Sequence, residues 1–156
     1  MTDAFFMNLA IEKAKEGIRN GQTPFGAAVV KDNAVVVAAH NSVWRDGDPS
    51  AHAEVNAIRL AAKILGTIEL VGCTMYTTCE PCPMCLAAIH WSKMERTVYG
   101  AEIADAAACG FQELFVPASE MVRIGKSPLR LEFPVMREEC RELFALWKST
   151  AKSKTY

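Results

Sequence analysis

With 156 residues, 51% of them hydrophobic, the chain is long enough to fold as one compact domain with a full core. A net charge of −1 and a pI near 6.3 supply no global basic field, so no nucleic-acid partner is expected. No apolar run approaches the roughly 18 residues that cross a bilayer, so no membrane partner is expected either. The first thirty residues carry Asp3, Glu12 and Glu16 among apolar positions, which reads as an amphipathic helix and not a secretory leader. Six cysteines in such a chain are expected to stay reduced, in the cytoplasm.

In chain order, Phe6, Leu9, Ala10, Ala14 and Ile18 recur at helical spacing, so a helix is predicted from Thr2 or Asp3 to about Asn20, stopped by Gly21. Ala27–Val30 and Ala34–Ala39 read as two strands paired through the turn at residues 31–33. Their β-branched, apolar content predicts a sheet covered on both faces. His40 to Pro49 reads as a polar loop, and Ser50 as the N-cap of a helix over residues 51–65 that ends at Gly66. This places His52 and Glu54 in its first turn. A third strand is predicted over residues 73–78, a short helix from Pro83 to Trp91, and a fourth strand over residues 96–101. Residues 104–109 are compatible with a helix, and residues 117–127 read as a loop holding at most one helical turn. A fifth strand over residues 129–133 and a last helix from Arg137 to about Ser149 complete the chain. Strand–helix–strand order at this spacing predicts an α/β fold with a mixed, partly parallel five-stranded sheet, in one domain spanning residues 1–156.

The chemistry concentrates in two short stretches, His52-Ala53-Glu54 and Pro81-Cys82-Pro83-Met84-Cys85. Imidazole and thiolate are ligands that Zn2+ prefers, and His52, Cys82 and Cys85 provide three for one ion per chain. Three protein ligands leave a tetrahedral position for water, as hydrolytic zinc sites do. Cys82 and Cys85 lie three residues apart at a predicted helix start, so both sulfurs face one side, and the helix dipole favours the thiolate. Glu54 is not a ligand. Two residues beyond the histidine, it is placed to take protons from an acidified water and return them to a leaving group. Pro81, Pro83 and Ala53 hold the backbone around the ligands. Histidine-x-glutamate followed by proline-cysteine-x-x-cysteine is the signature of zinc nucleobase deaminases. Cys79, Cys82 and Cys85 also form a run that iron–sulfur proteins use, but such a cluster needs a fourth cysteine, and none follows within several residues. Cys79 reads as a wall residue, and Cys73, Cys109 and Cys140 as small buried apolar groups.

Residues 24–27 (Pro-Phe-Gly-Ala), Asn41, residues 48–54, residues 79–85, the segment from Asp105 to Phe111 and the terminal Tyr156 together resemble the bacterial guanine deaminases. The likeness runs over nearly the whole chain. It implies the three-layer α-β-α cytidine deaminase-like fold and a small-molecule purine substrate, guanine, converted to xanthine and ammonia. It also implies a homodimer whose C-terminal segments, about residues 135–156, are exchanged between subunits. By that resemblance Phe25 stacks on the base, Asn41 hydrogen-bonds it, Trp91 helps wall the pocket, Ala53 belongs to the substrate-binding set, and Tyr156 reaches over the partner's site. From the residues alone, Phe25 and Trp91 suit a core equally well, Asn41 can simply close a loop, and Tyr156 can be a loose chain end.

One position departs from the resemblance. Where those deaminases carry an acidic pair after Gly-Phe, this chain has Gln112-Glu113, which keeps one carboxylate on a longer arm. Glu113 can then serve guanine or a related ring such as guanosine or a triazine. A tRNA adenosine deaminase shares both zinc motifs and is the alternative reading. It fits less well with Phe25 and with a C-terminal helix whose cations, Arg137, Arg141, Lys148, Lys152 and Lys154, exceed its acids by only two. A zinc-bearing scaffold without catalysis is the non-enzymatic alternative, and a glutamate that binds no metal argues against it.

Overall fold

The computed structural model describes residues 1–156. Helix α1 (Asp3–Arg19) opens the chain, capped by the Thr2 hydroxyl, which accepts the Phe5 N–H at 3.3 Å. Strands β1 (Gly26–Lys31) and β2 (Ala34–His40) follow as an antiparallel hairpin. After them come α2 (Val43–Asp46), α3 (Ala53–Leu65), β3 (Cys73–Cys79), α4 (Pro83–Trp91) and β4 (Arg96–Ala101). The chain then adds α5 (Ile103–Ala108), α6 (Ala118–Gly125), β5 (Arg130–Glu132) and α7 (Arg137–Lys148). The strands form one mixed sheet in the order β2-β1-β3-β4-β5. Strand β1 is antiparallel to both of its neighbours, whereas β3, β4 and β5 run parallel. The three layers and five strands are those expected.

Alternation along β1 divides the interior into two cores. Ala28 and Val30 point to one face, where α1 and α7 contribute Phe6, Ala10, Leu143 and Trp147. Ala27 and Val29 point to the other, which α3 and α4 cover with Ala57, Ala61, Leu86 and Ile89. Strand β2 departs from the two-sided burial expected of it: as an edge strand it has one buried residue, Ala39. On α3, Ala53, Ala57 and Ala61 recur every fourth residue and are all fully buried, so the helix lies close on the sheet.

Four readings of the sequence need correction. The stretch from His40 to Pro49 is not wholly loop, because α2 turns within it. Residues 117–127 hold an eight-residue helix, α6. Ser50 does not cap α3: its hydroxyl and its N–H both turn to Asp48 Oδ1, at 2.7 and 2.8 Å. The N-cap is therefore His52, so the imidazole stands just before the first turn and only Glu54 lies within it.

Strand order and direction position the site. Because β1 alone is reversed, the ends of β2, β3 and β4 share one edge of the sheet with the start of β1. Phe25 precedes β1, Asn41 follows β2, Cys79 closes β3 and Glu102 follows β4. Functional side chains therefore gather at that edge.

The junction of α1 with β1 tolerates no side chain at Gly26. A Cβ there would lie 2.0 Å from the Ala10 carbonyl oxygen and 2.7 Å from the Ala14 nitrogen, both backbone atoms. Gly26→Ala should lower the unfolding free energy in urea by about 3 kcal/mol, as forced overpacking does. Gly125→Ala, which meets no atom within 4 Å, should leave stability unchanged or slightly raised.

Candidate active site

Both halves of the metal motif are built in the same way. His52 is the N-cap of α3 (φ −67, ψ 157) and Cys82 the N-cap of α4 (φ −62, ψ 165). Neither side chain caps its own helix. The two extended N-cap residues instead face each other, and Pro83 at the start of α4 fixes the turn into that helix. His52 Nδ1 lies 3.7 Å from Cys82 Sγ and 3.5 Å from Cys85 Sγ, and one donor atom from each residue falls within 4.8 Å of the others.

A zinc ion fits this donor set. A tetrahedral shell with ordinary Zn–N and Zn–S bonds separates nitrogen from sulfur by about 3.5 Å and sulfur from sulfur by about 3.8 Å. The two nitrogen–sulfur spacings, 3.7 and 3.5 Å, match the first of these values, and all three donors lie within 4.8 Å of one another. Charge fits as well. A hydrogen bond from Cys85, opposed by burial and helped by His52, draws Cys82 down to about 4, so it is a thiolate. Donation to Cys82, together with burial, pushes the Cys85 thiol well above its ordinary range. A divalent cation within reach of both sulfurs favours thiolate on each.

Glu54, 6% exposed, lies in the first turn of α3 beneath the ligands. Its Oε2 is 3.5 Å from Cys85 Sγ, and its Oε1 is 3.2 Å from the Thr77 hydroxyl, which also lies 3.1 Å from the Cys79 carbonyl oxygen. Burial, and then the negative charge of Cys82, raises the Glu54 pKa. A carboxylate whose pKa is raised is a stronger base than an exposed one.

The ligands open onto a cavity of about 320 Å³. Phe25 and Phe111 wall it, their rings edge to face with centroids 5.0 Å apart, and Tyr156 closes one end. Glu113 enters half-buried, its pKa raised by burial and then by Cys82, while Glu80 and Met84 complete the metal side. Cys79 is a wall residue: its thiol donates to the Glu102 carbonyl at 3.4 Å, and burial keeps it protonated. Cys73 and Cys140 are buried in the core, and Cys109 is half-buried against it.

Asn41 and the chain end form one assembly. Asn41 is fully buried; its Oδ1 accepts the Val43 N–H at 3.1 Å and its Nδ2 donates to the Tyr156 hydroxyl at 2.7 Å. The Trp44 indole N–H donates to the Lys154 carbonyl at 3.0 Å, and the Lys154 ammonium sits 4.0 Å over the same indole. Tyr156 thus lies over its own chain's cavity, its ring 5.7 Å from that of His52 and 5.8 Å from that of Phe111.

Of the residues singled out in the sequence, His52, Glu54, Cys82, Phe25, Glu113 and Tyr156 line the cavity, and Cys85 lies with His52 and Cys82 in the group that could hold a metal ion. Ala53 is buried beneath His52 at the head of α3. Trp91 is a correction: it is 74% exposed, its indole set against His90 and Lys93 and not the cavity. Six residues past Cys85 is about 240° around a helix, so the two side chains leave α4 on different faces. Sequence reasoning passed over Phe111 and Thr77 as site residues. Phe111 had a usable signal, an aromatic beside a Gly in a motif stretch, but Thr77 had none, because its role depends on strand register.

Residues 1–101 match the cytidine and deoxycytidylate deaminase zinc-binding region. The whole chain aligns at 40% identity with the full length of a guanine deaminase from Bacillus subtilis. A solved guanine deaminase structure from that organism superposes with a TM-score of 0.69 over 100% of this chain and 99% of its own, at 36% identity. The guanine deaminase structure from Nitrosomonas europaea gives a TM-score of 0.86 at 26% identity, covering 94% of this chain and 85% of its own. A tRNA-specific adenosine deaminase from Aquifex aeolicus is 41% identical over 101 residues, 65% of this chain and 67% of its own. Coincident ligands, the buried glutamate and these alignments lead to one assignment: the chain belongs to the zinc-binding cytidine and deoxycytidylate deaminase family, hydrolytic enzymes that break C–N bonds.

Proposed function

We propose that this enzyme converts guanine and water to xanthine and ammonia. The observation that carries the reading is the Glu113 carboxylate set into a cavity walled by Phe25 and Phe111, beside the metal ligands. Aromatic faces suit a flat purine, and a carboxylate accepts from the ring N–H groups that guanine presents. The end-to-end likeness to a guanine deaminase supports it. A tail lying over the cavity also suits a free base, because a base still linked to RNA needs an open path for its sugar and phosphates.

When bound, a zinc ion held by His52, Cys82 and Cys85 would act as a Lewis acid that lowers the pKa of water at the site. Glu54 takes one proton from water as the new C–O bond forms and passes it to the ring nitrogen, then takes the second from the resulting hydroxyl and gives it to the amino group, so that ammonia leaves as the C–N bond breaks and the C=O forms. Its raised pKa suits both halves of that exchange. Phe25 and Phe111 hold the ring plane. Asn41 offers the amide now given to the Tyr156 hydroxyl, and Ala53 presents the head of α3 beneath the base.

The assembly we propose is a homodimer in the cytoplasm, where the six free cysteines stay reduced. Exchange of the segment from about residue 135 would let Tyr156 of each chain serve its partner's cavity through the contacts that Tyr156 makes here with Asn41 and the Trp44 ring. Trp91, exposed on the single chain, would then be covered by the partner.

Ammonia release from guanine, guanosine, adenine, cytosine and a tRNA anticodon stem separates the readings. Turnover of guanine is expected, and turnover of the tRNA alone would replace guanine with adenosine in RNA. Glu54→Gln should keep about one zinc per chain by elemental analysis while turnover falls by about a hundredfold or more. Full activity in that variant would remove Glu54 from the reaction. A chain truncated after Thr150 should lose about tenfold in kcat/KM for guanine with its zinc intact, since a missing lid costs substrate positioning. An unchanged value would show that the tail is not part of the site, and gel filtration of the same protein reports whether the dimer needs it.

A further inference from the structure

We propose that Glu80 is a positioning residue that locks the substrate-reading loop to the metal turn. Glu80 sits between Cys79, which ends β3, and the ligand Cys82. Its own N–H donates to the Ala101 carbonyl at 2.8 Å, fixing it to β4. Its carboxylate reaches sideways to two other elements. Oε1 accepts the Ala118 N–H at 2.8 Å, and Oε2 accepts the Ile103 N–H at 3.2 Å.

Ile103 and Ala118 are the first residues of α5 and α6, so one carboxylate serves an unpaired donor at the start of each helix. The N-cap of α6 is Pro117, which has no side-chain oxygen to offer, so Glu80 takes that place from outside the helix.

Between those two anchors runs the segment that reads the substrate. Residues 111–117 have no helix or strand, yet they bring Phe111, Gln112, Glu113 and Leu114 to the cavity. The backbone hydrogen bonds inside this stretch are local, Glu113 N–H to Phe111 O and Val116 N–H to Leu114 O. Such bonds shape the loop but do not place it. Placement comes from Phe111, packed on Phe25 and Trp147, and from the two ends held by Glu80. A residue of the metal turn thereby sets the distance from the reaction centre to Glu113. Both Glu80 oxygens are committed to backbone donors, which leaves proton transfer to Glu54 and makes the role of Glu80 one of placement.

Glu80→Ala removes both anchors. Glu80→Gln keeps one acceptor oxygen and sets an NH2 group against the other N–H, so it loses one. The test is hydrogen–deuterium exchange with mass spectrometry on the zinc-loaded enzyme, together with steady-state kinetics. In Glu80→Ala, exchange in residues 103–118 should accelerate about tenfold or more, with α3 and β3 unchanged, one zinc retained and KM for guanine raised about tenfold, more than kcat falls. Glu80→Gln should be intermediate in both. Native exchange over residues 103–118 in both variants would overturn the proposal, as would loss of zinc or acceleration spread evenly over the chain in Glu80→Gln. The kinetic arm rests on guanine being the substrate, but the exchange arm does not. Local acceleration in a protein that ignores guanine would overturn the substrate reading and leave the role of Glu80 standing.

Discussion

His52 and Cys82, thirty residues apart in the chain, approach within 3.7 Å because two helices begin at the same edge of one sheet. Three strands end at that edge and β1 starts there, so each connection out of the sheet delivers its first residues to a common place. The two ligands are N-caps with nearly the same extended backbone, and an N-cap side chain that does not turn back on its helix points beyond the helix end. The small fully buried face of α3 allows the approach. A larger side chain at Ala53, Ala57 or Ala61 would lift α3, and with it His52 and Glu54, off the sheet.

Charge at the site follows from the same convergence. The Cys82 thiolate, Glu54, Glu80 and Glu113 crowd one half-buried region, and each of Glu54 and Glu113 is made harder to ionise by burial and by its neighbours. Such an arrangement costs free energy unless positive charge balances it. Helix N-termini provide some of that balance, most directly to Glu80, and a divalent cation held by His52, Cys82 and Cys85 would provide the rest. The segment from Ile103 to Ala118 is hydrogen-bonded at both ends to Glu80, in the short turn that leads to Cys82.

Much of the reaction centre was legible in the chain. His52, Glu54, Cys82 and Cys85 are recognisable from spacing, since a motif at a helix start places side chains relative to one another through local geometry alone. Elements with strong periodicity or clear stops, such as α1, α3 up to Gly66 and the β1–β2 hairpin, were legible for the same reason. Local errors came from competition. Ser50 looked like a cap until Asp48 claimed its hydroxyl, and α6 looked like a loop although its first N–H is served by a glutamate nearly forty residues earlier.

Short-range patterns alone carry the motif of His52, Glu54, Cys82 and Cys85, which lies in the first 101 residues shared with the deaminase family, and most of the order of helices and strands along the chain. Only the tertiary structure decided what surrounds them. It moved Trp91 out of the cavity by its angle on α4, and it brought Phe111, Glu113 and Tyr156 in from the last third of the chain. It also made Glu80 an anchor for two helices. Those placements depend on strand order and on hydrogen bonds between distant backbone groups, which no local spacing encodes.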